Sequence, residues 1–220
     1  MPTEPDPAAG LSTSLDLTHN FVANSEGYVC AAIFLDMNTW LMAVYPMRSK
    51  HCSEFVRVLK QHQAFVRTTF EVELKTVRTD NDPCFTDNQH GPPRNVAVLQ
   101  EYVDSLPLSR SLQFTHSPPG YQALNPVECA VRQLYHLMNF YLEQGHLSSL
   151  CWMDMLEAAV YVMNRLPHPQ SAVKRRQVQS PFELTFRRKP DFSDLIAAPG
   201  ELVVVGWDGN KASAGERTGE

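Results

Sequence analysis

Cysteine is scarce and shows no pairing pattern. Cys30, Cys52, Cys84, Cys129 and Cys151 are five in number, widely scattered, with no Cys-x-x-Cys among them. This argues against a disulfide framework and fits free, buried or half-buried thiols in a reducing compartment. The eight histidines do not stand at zinc-finger spacing from the cysteines, so a structural zinc is not expected. No apolar run approaches the roughly 18 residues of a membrane span. The opening MPTEPDPAAG has neither the basic flank nor the apolar core of a signal peptide, and residues 1–11 are expected to form a disordered leader of a protein that is not secreted. An excess of positive charge is missing too. The formal net charge is −5, and the field of the whole chain does not favour nucleic acid.

Within 220 residues, 43% hydrophobic and 20% charged, there is ample material for one ordinary domain. A β-compatible run covers Ser12 to Phe21. Gly27 then opens YVCAAIFL, apolar enough for a strand buried on both faces, and a turn leads into WLMAVYPM. Short connections make these three strands antiparallel. From Ser53 onward Phe55, Val56, Leu59, Phe65 and Val66 recur at helical spacing. VELKTVRT alternates as a fourth strand ending at Thr79. A short amphipathic helix from Asn95 to Leu106 and a fifth strand in LQFTHS complete a parallel crossover. Pro126 sits where the first turn of a helix tolerates it, ahead of a stripe running from Val127 to Leu142. A last helix runs from about Trp152 to Leu166. The pattern predicts an α/β fold: a five-stranded mixed sheet, three antiparallel strands then two parallel, flanked by helices. The core is expected over 12–166, a C-terminal extension over 167–205 and a disordered tail over 206–220.

Three acids stand out by position: Asp16 on the first strand, Asp80 at the end of the fourth, and Glu128 at the start of a helix. In a sheet of this order the first and fourth strands are central neighbours, and the helix after the fifth can lay its first turn across their ends. Gathered carboxylates repel one another unless a cation sits among them. Hard divalent ions suit such oxygen ligands, and two ions about 3.5 to 4 Å apart support in-line phosphoryl transfer. Each acid also has a plainer reading. TVRTDNDPCF alone is a good turn sequence, Asp16 fits a bend, and Glu128 suits the positive end of its helix dipole. Two basic clusters, Lys174, Arg175, Arg176 and Arg187, Arg188, Lys189, fit either a solvated surface or phosphate contacts.

In order and setting, LDLTH around Asp16, TVRTDNDPCF around Asp80 and SPPGYQALNPVECAVRQL around Glu128 resemble the Asp, Asp, Glu motif of retroviral and retrotransposon integrases. WMDMLEAAVYVMNRLPHP followed by SPFELTFRRKPDFSDL is similar to the trailing region of copia-type retrotransposon integrases, and the likeness runs from about Leu15 to Val205. The resemblance implies a ribonuclease H-like fold and an integrase catalytic core acting at DNA phosphodiesters during DNA integration. It implies a cofactor of Mg²⁺ or Mn²⁺, two ions held by Asp16, Asp80 and Glu128. The implied partners are DNA, as element ends and target, and further copies of the chain; no membrane or small-molecule cofactor is implied, and the site of action would be the nucleus. His19, in the Asp-x-Thr-His pattern, would lie near the site without binding metal, and Asn81 would shape the loop.

The chain also departs from the family. Asp82, Pro83, Cys84 and Phe85 replace the glycine, acid and aromatic that usually follow the Asp-Asn pair. Asp80 and Glu128 have 47 residues between them, a longer interval than usual. Asn125-Pro126 stands for the customary Asn-Gly, and Cys129 for a basic residue. Arg132, one turn beyond Glu128, is positioned either to take over that basic role toward DNA or to form a helix ion pair. The zinc-binding N-terminal module and a clear basic C-terminal domain are absent from the sequence, as in an isolated core. A second reading follows: an inactive, element-derived remnant serving as a nucleic-acid-binding or assembly module. A third, a host nuclease of the same fold, fits the acids but not the trailing motifs.

Overall fold

A computed structural model describes residues 8–79, 94–116, 126–168 and 178–191. Five strands form one mixed sheet in the order β3-β2-β1-β4-β5: β1 (Ser12–Leu17), β2 (Cys30–Asp36), β3 (Met42–Met47), β4 (Thr76–Thr79) and β5 (Gln113–His116). The first three pair antiparallel, while β4 runs parallel to both β1 and β5. This is the sheet the sequence pattern leads one to expect.

Every residue of β2 is buried, which is why its sequence is a continuous apolar run rather than an alternating one. Alternation still decides which face each side chain serves. Leu15, Leu17, Ala32, Phe34 and Val77 pack with Phe55, Leu59 and Val66 of α1 (Cys52–Phe70) and Leu99 of α2 (Arg94–Ser105). Ala31, Ile33 and Leu35 face the other way, onto Val127, Val131 and Leu134 of α3 (Pro126–Gln144) and Leu156 and Val160 of α4 (Trp152–Arg165). Two helical layers thus sandwich the sheet.

Two strands are shorter than their composition suggests. β1 stops at Leu17 rather than Phe21 because the Thr18 side chain takes over a ladder position: Ala31 N donates to Thr18 Oγ1 at 2.8 Å. β4 begins at Thr76 rather than Val72 because α1 persists to Phe70 and ends on Glu71 in the left-handed region, φ 58°. Residues 72–75 then bring the chain to the start of β4, beside β1. Residues 8–11, assigned from sequence to the leader, form a turn tied to the end of β2, with Gly10 N donating to Asp36 Oδ2 at 2.8 Å and Asn38 Nδ2 to Ala8 O at 2.6 Å.

β3 is an edge strand, the setting in which Pro46 is tolerated within a sheet. Met42, Val44 and Pro46 share the orientation away from β2. Asn164 at the end of α4 closes the first of these positions, accepting from Met42 N at 2.8 Å and donating to Met42 O at 2.9 Å. Arg57 donates to Pro46 O at 2.7 Å. The following α5 (Pro181–Phe186) packs on α4 and opens with a capping box, Ser180 Oγ accepting from Glu183 N at 3.1 Å and the Glu183 carboxylate accepting from Ser180 N at 2.8 Å. The Asn-Arg-Leu-Pro and Ser-Pro-Phe-Glu motifs therefore have structural work: they build the clasp on this edge.

Candidate active site

Parallel pairing places the C-terminal ends of β1 and β4 side by side. Ser12 stands beside Thr76 and Ser14 beside Arg78, so β1 arrives at Asp16 and Leu17 at the end where β4 arrives at Thr79. Asp16 is half-buried and pairs across the ladder with Ile33. Since Ile33 shares its core with Val127 and Val131, Asp16 belongs to the α3 side of the sheet. Glu128, next to the buried Val127, lies in the first turn of α3, the helix laid over that side, and is likewise half-buried. Asp16 and Glu128 are thus on one face of the sheet. Asp80, the third acid, lies outside the described residues, as do Asn81, Asp82 and the basic cluster Lys174, Arg175 and Arg176. Among the described residues no group of three metal-ligating side chains occurs.

Arg132 Nη2 stands 4.0 Å from Glu128 Oε1, the arginine side chain 71% exposed and the glutamate side chain 42%. That is the helix ion pair of the two alternatives, at a length and exposure where it adds little to stability. Its geometry nonetheless puts a guanidinium one turn from Glu128.

The remaining basic residues lie elsewhere. Arg187 closes α5 in the left-handed region at φ 57°, Arg188 sets its guanidinium 5.4 Å from the Phe182 ring centre, and Lys189 is exposed. Because α5 sits by the β3 edge, this cluster is two strands away from β1. A cleft of about 420 Å³ opens there, lined by Met42, Val44, Tyr45, Phe65, Phe182 and Phe186 among others. Its apolar lining and its place at β3 separate it from the carboxylates.

An aromatic group that sequence reasoning did not assemble stands beside Asp16. Tyr135, two turns beyond Glu128 on α3, brings its hydroxyl to the Thr18 side chain and the His19 backbone, and burial pushes its pKa up to about 12 with the Asp16 charge adding to the rise. The His19 ring lies 4.9 Å from Tyr135 and 4.3 Å from Phe21, and Phe21 stacks on Trp152 at 4.4 Å. The available signal was the placement of Tyr135 on the α3 stripe, seven residues after Glu128, which puts the two two turns apart along the helix.

Comparison with known proteins follows the same line. No family model matches the chain. The retrovirus-related Pol polyprotein from transposon RE2 of Arabidopsis thaliana is 24% identical over 180 residues, covering 82% of this chain and 11% of that protein. The chain therefore spans a small part of its relative's length. Two structures of the HTLV-2 integrase catalytic core domain in complex with magnesium share the fold. The trimeric form has a TM-score of 0.53 at 16% identity, covering 81% of this chain and 98% of the core. The dimeric form has a TM-score of 0.53 at 15% identity with the same coverage of both chains. The five-stranded sheet in the order 3-2-1-4-5 with its helices is the ribonuclease H-like fold shared with those integrase catalytic cores.

Proposed function

We propose that this chain is an integrase-like domain that binds DNA and carries out metal-dependent phosphoryl transfer at phosphodiesters as the catalytic part of a retrotransposon integrase. The observation that carries the reading is the meeting of β1 and β4 at one sheet end, with Asp16 on β1 and Glu128 in the helix turn on the same face. Asp80 is assigned with them from its motif. Half-exposed carboxylates at a strand end and a helix start are oxygen donors of the type that hard divalent cations take while keeping water. Asp16, Asp80 and Glu128 are the residues that would hold Mg²⁺ or Mn²⁺. Such ions, when bound, supply charge neutralisation at the phosphate and activation of the attacking oxygen.

The chain's own part is placement. Asp16 is fixed by a central strand buried between two layers, and Glu128 by a helix anchored through Val127 and Val131, so neither has to be ordered when substrate arrives. Arg132 is positioned to exchange Glu128 for a phosphate oxygen. With a net charge of −5, the chain alone should hold DNA weakly and with steep salt dependence. We also assign self-association, following the trimeric and dimeric HTLV-2 forms, and action in the nucleus.

The test is Mn²⁺- and Mg²⁺-dependent nicking and strand transfer on linear duplexes, comparing the native chain with Asp16→Asn, Asp80→Asn and Glu128→Gln. Each substitution should abolish turnover while leaving the fold intact by circular dichroism. Activity that persists in Asp80→Asn sinks the assignment. DNA binding without any metal-dependent cleavage by the native chain would favour the remnant instead.

A further inference from the structure

Beyond β1 the chain holds His19 in a clamp. On one side Thr18 N donates to Ala31 O at 2.9 Å while Thr18 Oγ1 accepts from Ala31 N at 2.8 Å. On the other, Phe21 N donates to Val29 O at 2.6 Å, and the Trp152 indole donates to Val22 O at 3.0 Å. Phe21 is itself fixed by a near-parallel stack on Trp152, 19° between planes. The backbone is thus pinned on both sides of a residue whose side chain is exposed.

The ring has support as well. It meets Phe21 at 48° and Tyr135 at 58°. Neither contact is a parallel stack, so neither aromatic ring covers a whole face of the imidazole. A side chain that fills the core would be buried, and one that is merely solvated would not have aromatic rings on two sides. A fixed, solvent-facing aromatic ring three positions from Asp16 is instead suited to receive another flat ring. Unpaired nucleobases stack on such platforms with little regard to sequence, because every base presents a π-face.

We propose that His19 is the stacking platform for an unpaired base at the DNA end being processed, with Phe21 and Tyr135 as the positioning residues that fix its ring. The proposal rests on the assignment of Asp16 to the phosphoryl-transfer site, because that assignment is what brings a DNA end to this place. It gives the site a means of capturing a frayed terminus, which phosphate contacts alone do not supply.

The probe is a duplex with a short single-stranded 3′ overhang carrying 2-aminopurine, whose fluorescence is quenched by stacking. It is titrated with the full chain at low salt. Native protein should quench it, and His19→Ala should weaken quenching and binding by about 5- to 150-fold, the range measured when a stacking aromatic is truncated. His19→Phe should restore both, which a metal-binding or proton-transfer role would not allow. Thermal unfolding of the His19→Ala chain should match the native chain. Quenching in His19→Ala equal to native, or no quenching by the native chain, overturns the proposal. Asp16→Asn separates it from the catalytic reading: retained quenching with lost cleavage supports both. His19-dependent quenching without any cleavage by the native chain leaves the platform standing and removes the catalytic assignment. Cleavage that is sensitive to Asp16 but paired with His19-independent quenching does the reverse.

Discussion

Acidification should destabilise the protein through His62, and the surroundings of its ring set the size of the effect. The imidazole is 3% exposed within the core on the α1 side, stacked on Phe34 at 4.0 Å, with Nε2 3.3 Å from Thr13 Oγ1 and Nδ1 3.3 Å from Tyr45 Oη. Burial pushes its pKa down from 6.5 to about 3. The unfolded chain takes up the proton near pH 6.5, whereas the native chain refuses it until about 3, so between these values the unfolded state binds more protons and stability falls as the pH falls. The slope is about 1.4 kcal/mol per pH unit, giving a loss of about 3 kcal/mol from neutrality to about pH 4.5, out of a total of about 5 to 15 kcal/mol for a typical domain. His62→Leu keeps an apolar side chain in the core but removes the titration. It lowers the baseline by about 1 to 3 kcal/mol, because the Thr13 and Tyr45 hydroxyls lose a partner. Urea-unfolding midpoints from about pH 7 to about pH 4.5 should therefore drop by about 1 M more in the native chain than in the variant. Carboxylates such as Glu54, held below the usual range by the hydrogen bond from Arg57, act in both chains and cancel in the difference. Equal pH slopes in the two chains would refute the reasoning.

Other substitutions probe other parts of the frame. Asn164→Ala removes both hydrogen bonds to Met42 and leaves a buried donor and acceptor open, for an expected loss of about 2 to 4 kcal/mol in denaturant unfolding. Ser180→Ala breaks the capping box of α5 and should cost about 0.5 to 2 kcal/mol, read most directly as faster hydrogen exchange in Phe182 to Phe186. Gly10 combines φ +76° with Phe70 Cβ 2.8 Å from where a side chain would begin. Gly10→Ala should lower the unfolding free energy by about 1 to 3 kcal/mol, through left-handed strain and overpacking.

Much of the frame was legible in the sequence because burial and periodicity encode it directly. The apolar run of β2 announced a strand covered on both faces, and Pro126 with Val127 and Val131 announced α3 and the place of Glu128. What stayed hidden were polar side chains standing in for backbone. Thr18 reads as strand-compatible, yet its hydroxyl ends the ladder. His62 lies on the buried stripe between Leu59 and Val66, but imidazole is not a core residue by composition, so the stripe showed a gap there. Asn164 acts on Met42 across 122 positions, a pairing that no local pattern contains. The capping box at Ser180 was written in Ser-Pro-Phe-Glu, though its service to the β3 edge depends on how α5 docks. In the candidate site, the shared face of Asp16 and Glu128 followed from strand order and helix start. The platform around His19 did not, because it joins β1 to α3 and α4.

The clasp on β3 also bears on how the chain survives its own synthesis. A bare edge strand is a template on which a second chain can continue the sheet. In the finished fold, one outward position of β3 is taken by Asn164 and another has no donor because it is proline, so an intermolecular ladder cannot run along it. Asn164 and α5 are made long after β3, however, and until they dock that edge is open. Chains cut short before α4 should therefore form aggregates rather than soluble fragments, and the late-made motifs act as an intramolecular guard against polymerisation.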